Sequence, residues 1–97
     1  MRARKKFVVI AYDITLSRRR RRVEKAVGKY GSRVNLSVFE CMLTESQLEK
    51  LKVLIGKYLD PKTDQVVYYT LCVDCFAGIV YQPERKSKSD VSSTAVI

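Results

Sequence analysis

Between residues 33 and 43 the apolar side chains change phase. Val34, Leu36 and Val38 alternate with Asn35 and Ser37, after which Phe39, Cys41 and Leu43 alternate on the opposite parity. Side chains of a strand point to opposite faces with period two, so no single regular strand can hold both sets against one core. The segment must bulge, kink or divide. Division near Ser37 into two short strands is the expected outcome, because a four-stranded sheet needs it.

The remaining elements follow on either side of that break. Phe7 to Tyr12 is apolar on both parities, as in a central strand covered by other elements. Ser17 is placed to cap a helix whose apolar residues Val23, Ala26, Val27 and Tyr30 share one side, with Gly31 as its stop. Thr44-Glu45-Ser46-Gln47 is a capping box. It predicts a second helix with a buried stripe of Leu48, Leu51, Ile55, Tyr58 and Leu59, ended by Asp60-Pro61. Val66 to Val73 has the Val, Tyr and Thr content of a strand, and Ala77 to Tyr81 predicts one more, shorter strand. The order is βαββαβ with an additional C-terminal strand, which predicts an α+β, ferredoxin-like fold with an antiparallel sheet. One domain is expected over residues 1–82, followed by a flexible tail over 83–97 that is polar and rich in Ser and Lys. A domain of this size buries only about 60–70% of the surface its unfolded chain exposes, so a homodimer would enlarge the core.

The 97 residues contain no histidine, which removes imidazole from every catalytic scheme, including serine and cysteine hydrolysis. The formal net charge of +9 is concentrated near the start: residues 1–33 hold twelve basic and two acidic side chains, and the rest is close to neutral. A basic face of this kind meets phosphate or an anionic membrane. The longest unbroken apolar run is about six residues, against the roughly 20 that span a bilayer. No membrane partner is expected, and nucleic acid is. Met1 to Phe7 has the charge of a signal-peptide start, but Asp13 interrupts the apolar stretch and no small-residue cleavage site follows. A cytoplasmic protein is predicted. The three cysteines, Cys41, Cys72 and Cys75, are too few to close a tetrahedral zinc site without histidine, and structural disulfides are not expected in that compartment. Cys41 reads as a core residue, and Cys72-Val73-Asp74-Cys75 as ordinary small cysteines at a strand's end.

Asp13 stands where the first strand ends and the chain turns toward a helix, the position at which open sheets with βα units often meet ligands. From the residues alone two readings stay open: a turn-forming carboxylate that accepts backbone hydrogen bonds, and a metal ligand. One carboxylate is a weak site, since Mg2+ takes one or two together with waters and phosphate oxygens. A two-fold axis beside Asp13 would supply the second copy. Arg18 to Arg22 are five consecutive guanidinium groups, unfavourable through mutual repulsion, whose planar forks match phosphate bidentately. Arg18, Arg21 and Arg22 fall with Lys25 and Lys29 on the outer side of the helix, a ridge suited to salt-sensitive, sequence-blind backbone contact. Tyr12 and Phe39 read as core or interface aromatics. If the chain catalyses a reaction, metal-assisted phosphodiester cleavage is the form these residues allow.

Three stretches together carry a family likeness: Val8-Val9-Ile10-Ala11-Tyr12-Asp13-Ile14 ahead of the arginine-rich helix, Tyr30-Gly31-Ser32-Arg33-Val34-Asn35-Leu36-Ser37-Val38-Phe39-Glu40-Cys41, and Val66 to Cys75. They resemble the small CRISPR-associated endoribonuclease family, whose members act in spacer acquisition beside the CRISPR integrase. The likeness covers residues 7–82 and departs at Asn35, where the family usually has glutamine. It implies a homodimer of ferredoxin-like protomers, with Asp13 of each subunit holding Mg2+ or Mn2+ at the interface. It implies functional roles beside Asp13 for Tyr12, Ser37 and Phe39. Arg20, Arg22 and Arg33 would join Arg18 and Arg21 at the nucleic acid. Ala77 to Tyr81 would cross to the partner's sheet, which protects an open edge. The implied role is CRISPR adaptive antiviral defence: a dimeric nucleic-acid-binding subunit working with the CRISPR integrase subunit, with metal-dependent endonuclease activity on single-stranded RNA or duplex DNA. The alternatives are a non-catalytic DNA-binding scaffold and a stand-alone RNA-binding or toxin-like ribonuclease module, the second disfavoured by the missing aromatic RNP motif.

Overall fold

In the computed structural model, which describes residues 4–82, the central strand β1 (Lys5–Asp13) is flanked on both sides. The chain continues through α1 (Ser17–Val27), β2 (Gly31–Asn35), β3 (Val38–Thr44), α2 (Glu45–Tyr58), β4 (Gln65–Leu71) and a short α3 (Val73–Ala77). The sheet order is β2-β3-β1-β4, and every neighbouring pair is antiparallel. This is the ferredoxin-like α+β arrangement. The tail expected over 83–97 lies outside the described residues.

Register explains which face becomes the core. Val8 stands opposite Cys41 and Thr70, and Ile10 opposite Phe39 and Tyr68. Even-numbered residues of β1 therefore share one face with Phe39, Cys41 and Leu43, and that face is buried. Val23, Ala26 and Val27 of α1 and Leu48, Leu51 and Ile55 of α2 complete the cluster. Burial pushes the Cys41 thiol up to about 12, so it is a packing residue without thiolate reactivity near neutral pH. The odd-numbered face carries Phe7, Val9, Ala11 and Asp13, beside Val38 and Met42 of β3 and Val67, Tyr69 and Leu71 of β4. Among the described residues, α3 and the segment after it are what packs there: Phe76 lies 4.7 Å from Phe7 between ring centroids, and the Tyr81 hydroxyl donates to the Glu40 carboxylate at 3.0 Å.

The phase break resolves as a division. A turn at Leu36-Ser37 separates β2 from β3, and a register shift between Arg33 and Asn35 absorbs the parity change. Gly31 lets the two strands close, since a Cβ there would run into the Glu40 carbonyl. The Asn35 side chain accepts from Ser37 N at 3.3 Å, an Asx-type turn suited to its short side chain. The capping box forms as expected, with Gln47 N donating to Thr44 Oγ1 at 3.1 Å and Thr44 N donating to Gln47 Oε1 at 2.8 Å.

Four local expectations are corrected. Leu16, not Ser17, is the N-cap of α1, and it caps without a side-chain hydrogen bond. The first helical turn therefore starts one residue earlier than expected, just after the buried Ile14, and Ser17 already lies inside it. The helix ends at Gly28 rather than Gly31, because Gly31 is taken by the close β2–β3 pairing. The predicted strand over Val66 to Val73 stops at Leu71, and Cys72 caps α3, its Sγ accepting from Cys75 N at 3.3 Å. The cysteine pair thus opens a helical turn. The additional C-terminal strand over Ala77 to Tyr81 is absent from the described residues: Ala77 ends α3, and residues 78–82 make no ladder among them. A strand needs an edge to pair with, and in one chain this segment instead crosses its own sheet face to reach Glu40.

One acid ties the loops together. Asp64 accepts from Thr15 N, Asp60 N and Thr63 Oγ1, and from Arg19 Nε at 2.8 Å. The Arg19 guanidinium, then the Asp60 N–H, hold its carboxyl below the usual carboxylate range. A depressed folded value means stabilisation fully present above the unfolded value of about 3.9, and lost as pH falls from there toward the folded value. Asp64→Asn should therefore lower Tm near neutral pH, and thermal melts should show the gap to the unsubstituted protein closing below about pH 4. A gap of constant size across that range would show that the charge is not what holds the loop.

Candidate nucleic-acid interface and carboxylate site

The five arginines of α1 divide among several tasks, because successive helical residues point in different directions. Arg19 is committed to Asp64 and braces the fold. Arg20 turns back on the chain, donating from Nη1 to the Ile14 carbonyl at 3.0 Å and from Nη2 to Ser17 Oγ at 3.1 Å. The Arg22 guanidinium carbon lies 5.8 Å from the Tyr58 ring centroid, a cation–π contact that anchors α1 on α2. Arg18 and Arg21 are exposed and form no ion pair among the described residues. Lys25 and Lys29 are exposed as well, so the expected outer ridge is present as a surface. No acidic residue occupies the first turn of α1. Its positive dipole end is thus surrounded by cations, an arrangement that an incoming anion would relieve.

A cleft of about 610 Å³ opens beside this helix. Tyr12, Asp13 and Ile14 from the end of β1 form one wall, Arg20, Arg21 and Glu24 of α1 another, and Arg33, Leu36 and Ser37 of the β2–β3 hairpin the third. Tyr12 N donates to the Ser37 carbonyl at 3.0 Å, which ties the hairpin turn to β1. Of the residues that the sequence singles out, Tyr12, Asp13, Arg20, Arg21, Arg33 and Ser37 meet here, whereas Arg18 and Arg22 lie outside the lining. Phe39 is buried beneath it, 6.0 Å from the Tyr12 ring, with the Arg33 guanidinium over its face at 5.7 Å. Phe39 acts as a shelf for Arg33; its ring is too buried to stack on a base.

The sequence reading passed over Glu24, which organises this cleft. Its Oε2 accepts from the Tyr12 hydroxyl at 2.7 Å and its Oε1 pairs with Arg33 Nη2 at 3.0 Å. Its sequence signal was slight: it is the sole acid in α1, one helical turn after Arg20. Burial, and then the Glu24 carboxylate, push the Tyr12 phenol well above its usual value, so it stays protonated at physiological pH. Asp13, by contrast, is exposed at the end of β1 on the opposite face of the sheet from Tyr12. Among the described residues no group of three or more His, Cys, Asp or Glu side chains could hold a metal ion. A single hard oxygen donor, open to solvent, does fit Mg2+, which binds through one or two carboxylates and fills its shell with water and phosphate oxygens.

The sequence model for CRISPR associated protein Cas2 matches residues 6–79. The chain belongs to the Cas2 family. A CRISPR-associated endoribonuclease Cas2 from Chlorobaculum tepidum is 33% identical over 95 residues, covering 93% of this chain and 98% of that one. A further relative from Rhodospirillum rubrum, named CRISPR-associated endoribonuclease Cas2 4, is 38% identical over 69 residues, and the match spans 71% of this chain and 56% of that protein. Among solved structures, Streptococcus pyogenes Cas2 superposes with a TM-score of 0.70 at 30% identity, over 77% of this chain and 96% of that one. A chain titled as a partial Cas6-RT-Cas1–Cas2 complex shares the fold, with a TM-score of 0.69 at 23% identity, over 82% of this chain and 88% of that one. Among the described residues no helix is long and apolar enough to cross a membrane.

Tyr12→Phe tests the wiring of the cleft. It removes the one donor shared by Glu24 and the Leu36 carbonyl, which accepts at 2.9 Å, and chemical denaturation should register a loss of about 1–3 kcal/mol. A loss near zero would mean that water replaces the hydroxyl without cost.

Proposed function

We propose that this protein is the dimeric nucleic-acid-binding subunit of CRISPR spacer acquisition, holding nucleic acid for an integrase partner. Metal-dependent endonuclease chemistry at Asp13 is a second, conditional capacity. The observation that carries the reading is the exposed ridge of Arg18, Arg21, Lys25 and Lys29 on a helix whose first turn contains no acid. Such a surface binds phosphodiesters through charge and counterion release, with little dependence on base sequence. The relative named for a Cas1–Cas2 complex supports the integrase as partner. The names of relatives as endoribonuclease and endonuclease support a cleavage capacity.

The odd-numbered sheet face supports a homodimer. Val9, Ala11, Val38, Met42, Val67 and Leu71 are only partly buried there, and Tyr69 is 54% exposed. A second copy packed on this face would cover apolar surface and bring two Asp13 side chains toward one axis. Mg2+ or Mn2+ would be held by Asp13, and when bound it would supply charge stabilisation for a phosphoryl centre and an acidified water. The protein's own residues do the rest. Arg18 and Arg21 grip the backbone, Arg20 and Arg33 present guanidinium groups in the cleft, and Ser37 lies at its rim. The chain offers no histidine, and the Tyr12 phenol is held protonated, so neither an imidazole nor a phenolate on this cleft is available to activate water. Holding is the activity that one chain supports by itself; cutting requires the second Asp13 and the ion.

Two experiments separate the parts. Replacing both Arg18 and Arg21 with alanine should weaken binding of a short duplex and reduce the magnitude of the salt slope by about two, measured by fluorescence anisotropy over a salt series. Unchanged affinity and slope would refute the ridge. Asp13→Asn should abolish metal-dependent cleavage of a labelled single-stranded RNA or duplex DNA while binding is retained; cleavage at the original rate would refute Asp13 as the seat of that chemistry.

A further inference from the structure

We propose that Glu24 is a built-in phosphate surrogate: it occupies Arg33 in the free protein and yields that guanidinium to a nucleic-acid phosphate on binding. This rests on the nucleic-acid-binding reading and adds to it a residue that sets affinity in the cleft. The cleft is far less positive than the ridge beside it, with Arg20, Arg21 and Arg33 facing Asp13 and Glu24. Two of these are already matched to each other. Glu24 Oε1 lies 3.0 Å from Arg33 Nη2, and the Glu24 side chain is only 15% exposed, so solvent screens the pair weakly. The carboxylate has a second anchor in the Tyr12 hydroxyl at 2.7 Å, and that anchor stays when Arg33 leaves. Arg33 is the more exposed member, at 44%, and rests on the Phe39 ring.

A carboxylate and a phosphodiester make the same kind of charge-assisted bond to a guanidinium, so they compete for one set of N–H donors. While Glu24 holds Arg33, the pair is close to neutral and contributes little to long-range attraction. Arg18 and Arg21 then set the initial capture, and Arg33 engages only once a strand is close enough to displace Glu24. Glu24 thereby attenuates cleft binding and leaves the ridge unaffected.

The test is a comparison of affinities and salt slopes for a short duplex DNA. Glu24→Gln keeps the shape and removes the charge. Its affinity should rise about three- to tenfold, and its salt slope should steepen by up to about one, as Arg33 becomes a full phosphate contact. The gain should vanish in an Arg33→Gln background. Glu49→Gln, a charge removal on the far helix where Glu49 pairs with Lys52, should change affinity much less. The proposal fails if Glu24→Gln leaves affinity unchanged or weakens it, since Glu24 would then merely brace Arg33. It fails equally if the gain survives undiminished without Arg33, which would make it a general field effect. Should the variant unfold, the unsubstituted protein answers the question: the side-chain carboxylate 13C resonance of Glu24 should shift on saturation with the duplex, and an unmoved resonance overturns the proposal. Absence of any duplex binding by the unsubstituted protein would instead sink the nucleic-acid reading itself.

Discussion

The parity of β1 governs the rest of the structure. Because this strand is paired on both edges, with β3 and with β4, its register cannot slip by one residue without turning every side chain to the other face. Val8, Ile10 and Tyr12 are thereby committed to the helix-covered core, and Asp13 to the opposite face. Tyr12 and Asp13 both line the cleft at the end of β1, yet their side chains leave the strand on opposite faces. The phenol enters a buried hydrogen-bond system with Glu24 and the β2–β3 turn, while the carboxylate remains open to solvent at the strand's end.

Electrostatics then builds on that frame in two layers. The first is structural: Arg19 with Asp64 ties the start of α1 to the loop before β4, and Arg22 over Tyr58 ties α1 to α2. These contacts absorb two of the five consecutive guanidinium groups and offset part of their mutual repulsion. The second layer is the exposed remainder, with Arg18 and Arg21 backed by Lys25 and Lys29. It leaves α1 with an unbalanced positive field at its N-terminal end, where the helix dipole adds to it. Glu24 is the only acid on that helix, and it faces inward to Arg33 instead of outward to the ridge.

Much of this was legible in the residues. The phase break between Val34 and Leu43 called for two strands, and the hairpin at Leu36-Ser37 delivers them. The capping box at Thr44 and the stripe from Leu48 to Ile55 marked α2, since both depend on spacing within one helix. Signals that depend on a distant partner were read less well. Gly31 looked like a helix stop, but the approach of β3 is what requires it. The C-terminal apolar piece looked like a strand, but a strand is a relation between two stretches of backbone, and among the described residues of one chain no edge receives this one. Glu24 and Asp64 were passed over because their partners lie on other elements, Arg33 on the β2–β3 hairpin and Arg19 on α1.

By itself the sequence determined the chemistry available: no imidazole, a dense positive charge at the front, one carboxylate at a strand end, and a hydrophobic pattern that folds as βαββαβ. Those are matters of composition and local period, which short-range physics decides. Only the tertiary structure decided which of the five arginines are spent inside the molecule and which face solvent, and that an acid from α1 would reach across to Arg33. Pairing of side chains remote in sequence is set by register and helix docking, and neither is written in any one segment.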